Sequence, residues 1–145
     1  MAHVEASITT KRPIDEVFAA LSDWTNSEKW ISSTQSVTKT SDGPIGVGTT
    51  WSAVGKLLGR TLEAGITVTE FEPDKKSASV VDKPFKATTA FTLKSVDGGT
   101  RVDQTTDAEL EGFFKLAQAV MLPMMKRQLQ NDLETFRDLM DANAL

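Results

Sequence analysis

The chain has 145 residues, 39% of them apolar and 25% charged, and a formal net charge of −4, which describes one globular domain over residues 1–145, large enough to bury a sizeable core. The acidic balance, with Lys11-Arg12 and Lys126-Arg127 building no basic stripe, argues against nucleic-acid binding. The absence of Cys excludes disulfides, thiolate chemistry and Cys-based metal sites; no apolar run approaches the roughly 18 residues of a membrane span, and no signal-peptide core opens the chain, so a cytoplasmic protein without membrane insertion is expected.

Val4, Ala6 and Ile8 alternate with His3, Glu5, Ser7 and Thr9, the period-two pattern of a half-buried strand. Pro13 then supplies the fixed φ of a first helical turn, and Asp15 and Glu16 suit the positive end of the helix dipole. Ile14, Val17, Phe18 and Leu21 share one face of that helix. Asp23 or Thr25 caps a second short helix reaching Trp30.

A strand meander follows, with strands predicted at 34–41, 48–55, 60–71, 77–82, 85–95 and 99–109. Turn chemistry separates them at Asp42-Gly43-Pro44, Gly55 to Gly59, Pro73-Asp74, Lys83-Pro84 and Asp97-Gly98-Gly99, where both glycines tolerate positive φ. Phe85, Ala87, Thr89, Phe91 and Leu93 share one face of their strand, and Val102, Gln104, Thr106 and Ala108 one face of the next; Arg101, Asp103, Thr105, Asp107 and Glu109 form the wet side.

At the C-terminus, Leu122, Met125, Leu129, Leu133, Phe136 and Met140 make a helical stripe over more than five turns. Upstream, Phe113, Ala117, Val120 and Met124 form a stripe on nearly the opposite side, with Pro123 at the switch. The pattern predicts a helix or turn over about 111–121, a break near Pro123, and a main helix to about 142. With that break the upstream stripe would rotate to become a lid; without it, the stripe would face solvent as a partner or membrane surface.

The chemistry-bearing residues mostly exclude functions. His3 is the only histidine, near the terminus on the polar phase of its strand, a poor base for a Ser-His-Asp site. His3 and Glu5 share a strand face, but two ligands do not make a zinc site, so no metal is expected. Gly46-Val47-Gly48 lacks a third glycine and a following helix, and Gly55 to Gly59 lacks the Lys-Ser/Thr of a phosphate loop, so no nucleotide cofactor is implied. Glu70 with Glu72, or Asp103 with Asp107, would need burial to act as general acids, and the latter pair lies on the wet phase. Thr89, Gln104 and Thr106 are more informative: they are polar residues on the apolar phase, which either orient a ligand or bond to neighbouring backbone and water.

In this order and spacing the chain resembles the START-like, Bet v 1-like superfamily, also called SRPBCC, and within it the polyketide cyclase/dehydrase-like subgroup. The resemblance is carried by Arg12-Pro13 followed by Val17, Phe18, Leu21, Asp23 and Trp30; by Gly46-Val47-Gly48-Thr49 entering a strand; by Glu72-Pro73 closing one; by Gly99-Thr100-Arg101-Val102 opening the last; and by the Leu129 to Leu139 helix. It implies an α+β helix-grip fold: a curved antiparallel sheet of about seven strands around a long C-terminal helix, with two short helices after the first strand. It also implies a cavity between sheet and helix that commonly takes lipids, sterols, hormones or polyketides. On this basis Trp30, Trp51, Val68, Thr89, Phe91, Gln104, Thr106, Phe114, Ala117, Met121 and Met124 are the candidate ligand-binding residues, with no catalytic residue and no cofactor assigned. The leading expectation is a monomer or weak homodimer that binds or carries a small hydrophobic or amphipathic ligand. A cyclase or aromatase that works by positioning its substrate and a co-chaperone-like interaction module are the alternatives.

Overall fold

The computed structural model describes residues 2–57, 59–83 and 85–145. Leu58, within the expected Gly55 to Gly59 turn, and Pro84, in the expected Lys83-Pro84 turn, lie outside the described residues. Strand β1 (Ala2–Thr10) leads into helix α1 (Ile14–Ser22), a 3-10 turn (Trp24–Asn26) and a one-turn helix α2 (Ser27–Trp30). Strands β2 (Thr34–Lys39), β3 (Thr50–Leu57), β4 (Arg60–Glu72), β5 (Lys76–Val81), β6 (Ala87–Val96) and β7 (Gly99–Ala108) follow. The chain ends in a short helix α3 (Phe113–Leu116) and a long helix α4 (Gln118–Asp141).

All seven strands form one antiparallel sheet in the order β1-β7-β6-β5-β4-β3-β2. The meander pairs consecutive strands, as tight turns require, and β1 closes against β7 at the far end. A register shift between Val68 and Glu70 in β4, and another between Thr34 and Ser36 in β2, insert bulges. Such bulges bend a strand and increase its twist, which lets the 13-residue β4 follow the curl of the sheet.

α4 packs across β1, the strand that would otherwise be an open edge. The Gln130 side chain serves that edge directly: Ser7 N–H donates to Gln130 Oε1 (3.3 Å) and Gln130 Nε2 donates to the Ser7 carbonyl (3.1 Å). An amide side chain here stands in for a neighbouring strand and blocks edge-to-edge pairing. At the other end of α4, Asp141 Oδ1 accepts from Thr10 Oγ1 (2.6 Å) and from Lys11 N–H (2.8 Å). Burial pushes the Asp141 carboxyl up, but these donors outweigh it and hold it below the ordinary carboxylate range.

Two buried clusters result. The larger joins Ile8 of β1, Val17, Phe18 and Leu21 of α1, Trp30 of α2, Phe91, Leu93 and Val102 of the sheet, and Leu133, Phe136 and Met140 of α4. Trp30 is its hub, edge-on to Phe136 (5.2 Å between centroids) and to Phe91 (6.2 Å). The smaller cluster is Val37, Trp51, Ile66 and Val68 on β2, β3 and β4. No described helix is long and apolar enough to cross a membrane.

The expected break at Pro123 is not where the helix breaks. α4 runs continuously from Gln118 to Asp141 with Pro123 inside it, and the irregular residue is Ala117, between α3 and α4. Pro123 removes a donor to the Ala119 carbonyl, but both residues are exposed, so water can satisfy the freed oxygen.

Candidate functional site

A cavity of about 290 Å³ lies between the sheet and α4, near the lower bound of small-ligand sites. Every strand of the sheet contributes to its sheet side, β3 and β4 most, its helix side comes from Met125, Gln128, Leu129 and Asp132 of α4, and its end from Trp24 and Ile31. Small residues border part of the space. Ala53 of β3 and Ala64 of β4 are register partners, and both line the cavity beside Gly55. Phe85 walls one side, its ring edge-on to Phe114 of α3 at 5.2 Å.

Of the residues singled out in the sequence, Thr89, Gln104 and Thr106 line this cavity together. β6 and β7 set Thr89 opposite Thr106 and Phe91 opposite Gln104. The two threonine hydroxyls share a buried hydrogen bond (3.2 Å). Gln104 is 4% exposed, and its Oε1 is buried with no partner among the described residues. Trp30 and Phe91 belong instead to the larger core cluster, and Trp51 and Val68 to the smaller one. Phe114 stands behind Phe85, Ala117 is half-buried at the α3–α4 junction, Met121 is buried, and Met124 is turned to solvent.

Because α4 is unbroken at Pro123, the upstream stripe does not rotate over the cavity and does not form the lid expected of it. Phe113 is 65% exposed, Leu116 89%, Val120 74% and Met124 40%. Replacing Phe113 and Val120 together by serine is therefore expected to change stability by no more than about 0.5 kcal/mol per site, as for other exposed positions, and to leave ligand uptake unchanged. Urea denaturation and a binding titration check both; a clear loss of uptake would restore the lid.

Among the lining residues that sequence reasoning missed, which include Trp24, Ile31, Ala53, Ala64, Phe85, Met125 and Leu129, Asp132 is the buried charged one. It is 7% exposed on the inward face of α4, and its Oδ1 accepts from Ser32 N–H (3.2 Å), which follows α2. Burial raises its pKa above the ordinary carboxylate value, while hydrogen bonds from Ser32 and Gln128 pull it back in part. A signal was present: position 132 is three residues after Leu129 and four before Phe136, the phase of the buried stripe.

His3 lies away from this cavity, on the exposed face of β1. Its Nδ1 meets Asp107 (2.6 Å) and its Nε2 meets Glu5 (2.8 Å). Glu5 first, then Asp107, raises the His3 pKa by stabilising the charged ring. This is an ion-paired surface cluster across β1 and β7. No three His, Cys, Asp or Glu side chains among the described residues are placed to hold a metal.

A curled seven-stranded antiparallel sheet around a long C-terminal helix, with two short helices after the first strand, is the helix-grip fold of Bet v 1-like proteins. The family described as "Polyketide cyclase / dehydrase and lipid transport" matches residues 1–141, and the chain belongs to that family. Among solved structures, the protein TTHA0849 from Thermus thermophilus superposes with a TM-score of 0.83 at 16% identity, over 99% of both chains. Ara h 8.0201 gives 0.62 at 17% identity, over 92% of this chain and 97% of its own. The di-domain ARO/CYC StfQ of the steffimycin biosynthetic pathway gives 0.78 at 10% identity, over 99% of this chain and 51% of its own. At these identities the likeness is one of fold. Sequence comparison with curated proteins gives no match.

Proposed function

We propose that the protein binds a small, largely apolar molecule carrying a polar group in the cavity between the sheet and α4. The observation that supports this most is the cavity itself: about 290 Å³, bordered by the facing Ala53 and Ala64, with Thr89, Gln104, Thr106 and Asp132 as its buried polar residues. Membership of a family that includes lipid transport fits the same reading. The protein would act as one domain in the cytoplasm, as a monomer or weak homodimer.

A cyclase-type reaction in the same cavity is the second reading. Thr89, Gln104, Thr106 and Asp132 would then position a flexible substrate, and positioning alone can supply a large part of a rate effect. The StfQ likeness favours it only through the shared fold. The exposed Phe113, Leu116, Val120 and Met124 favour an additional interaction role for α3 and the start of α4.

Native mass spectrometry of freshly purified protein tests the first reading. The expected result is a co-purifying small mass, released on denaturation and displaced by an added apolar compound. A protein that carries no such mass and takes up no apolar compound at millimolar concentration would exclude it.

A further inference from the structure

The polar groups on the cavity wall are unequal in kind. Gln104 brings a whole amide from β7: its Oε1 is a buried acceptor with no partner among the described residues, and its Nε2 is a donor. Asp132 presents a carboxylate from α4 on the facing wall, and only the Ser32 N–H and the side chains of Ser32 and Gln128 attend it. The Thr89 and Thr106 hydroxyls are engaged with each other. The cationic lining residues, Lys56 and Lys83, are both exposed and keep their charges in water. Among the described lining residues the interior thus holds one negative group, Asp132, and no buried cation, beside the uncharged Ser33, Thr34, Thr89, Gln104, Thr106 and Gln128.

A buried acceptor left unpaired costs about 1–3 kcal/mol, which a ligand donor can recover. A buried carboxylate also repels a second anion strongly where water cannot screen it. We propose that the cavity selects an apolar molecule whose polar group is a hydrogen-bond donor, an alcohol or a protonated amine, and rejects acids, with Asp132 and Gln104 as the recognising residues. This rests on the ligand-binding reading above. The shared chemistry of the two ligand types is a donor at the end of an apolar body. The ammonium gains the charge of Asp132 in addition, as a hydrogen-bonded ion pair shielded from water.

The test uses three probes with one tail: 1-octanol, octylammonium and octanoate, titrated into the delipidated full chain at pH 8 and followed by NMR shifts of cavity residues such as Ile66 and Leu129. The alcohol and the amine are expected to bind at least about tenfold more tightly than octanoate. Asp132→Asn keeps an acceptor for Ser32 and is expected to erase the amine's advantage over octanoate while leaving octanol within about threefold. Gln104→Leu is expected to weaken octanol several-fold. Octanoate binding as tightly as octanol, as it would if the rim lysines held the head group, overturns the proposal, and so does an Asp132→Asn variant with unchanged ratios. The head-group series on the unaltered protein decides the matter even if a variant fails to fold. All three probes binding with equal affinity at Ile66 and Leu129 would refute the selection but leave the ligand-binding reading standing. Binding by none of them would remove both.

Discussion

Gly99→Ala is expected to cost about 4 kcal/mol or more of folding stability, the range reserved for substitutions that clash with a fixed backbone. A Cβ at this position would stand 1.9 Å from the Thr10 carbonyl oxygen and 2.9 Å from Lys11 Cα, both main-chain atoms. β1 would have to move away from the start of β7. That movement breaks more than one contact, because Thr10 and Thr100 are nearly fully buried register partners there. Thr100 Oγ1 donates to the Arg12 carbonyl (2.8 Å), and Thr10 Oγ1 donates to Asp141 of α4. One methyl group would therefore loosen the joint that holds strand, first helix and last helix together. Gly98→Ala is the control. It has open space around it and a φ of +80°, so only the left-handed backbone is strained, at about 1–2 kcal/mol. Urea denaturation of both variants checks the ratio, and equal costs would mean that the close approach at Gly99 relaxes easily.

These two glycines also mark what the sequence makes legible. Asp97-Gly98-Gly99 reads as a hairpin turn because glycine tolerates positive φ, and Gly98 does adopt it. Gly99 does not; it is required by the strand that packs against it, a partner nearly 90 residues away in the chain. Local chemistry announces the turn but not the neighbour. The same division runs through the rest of the fold. The alternation in β1, β6 and β7 and the Leu129, Leu133, Phe136, Met140 stripe are periodic signals, and the elements form where those signals lie. Pro123 misleads because a proline's effect depends on whether the carbonyl it orphans can reach water, which is a matter of exposure rather than sequence.

The cavity divides in the same way. Thr89, Gln104 and Thr106 stand out because they are polar residues on an apolar phase. Asp132 obeys the same rule on a helix, yet a charged residue between Asn131 and Leu133 reads as solvated surface until α4 is seen to turn it inward. The aromatic and Met residues divide by packing. Trp30, Trp51 and Phe91 fill cores because the sheet curls tightly onto them, and the space is left instead beside alanines and a glycine. A hollow is written in small residues, and small residues are informative only once the register shows which of them face each other.

That register yields the second prediction. Ala53→Leu combined with Ala64→Leu is expected to raise folding stability by about 1 kcal/mol and to reduce uptake of an apolar ligand at least about tenfold. The two alanines are directly paired across β3 and β4 and both face the cavity. Each added side chain enters space that no protein atom fills, and each buried methylene group contributes about 0.8 kcal/mol before losses to side-chain entropy and imperfect fit. The same atoms occupy the volume a ligand needs. Stability without ligand and affinity for ligand should therefore move in opposite directions, which distinguishes a hollow kept for binding from a merely imperfect core. Thermal melts with and without an apolar compound separate the cases: the double variant should melt higher alone and no longer shift on adding the compound. If uptake persists, the ligand sits elsewhere. If stability falls by the 1–3 kcal/mol typical of overpacking, the wall between β3 and β4 is already filled, and the case for a ligand-sized hollow there fails with it.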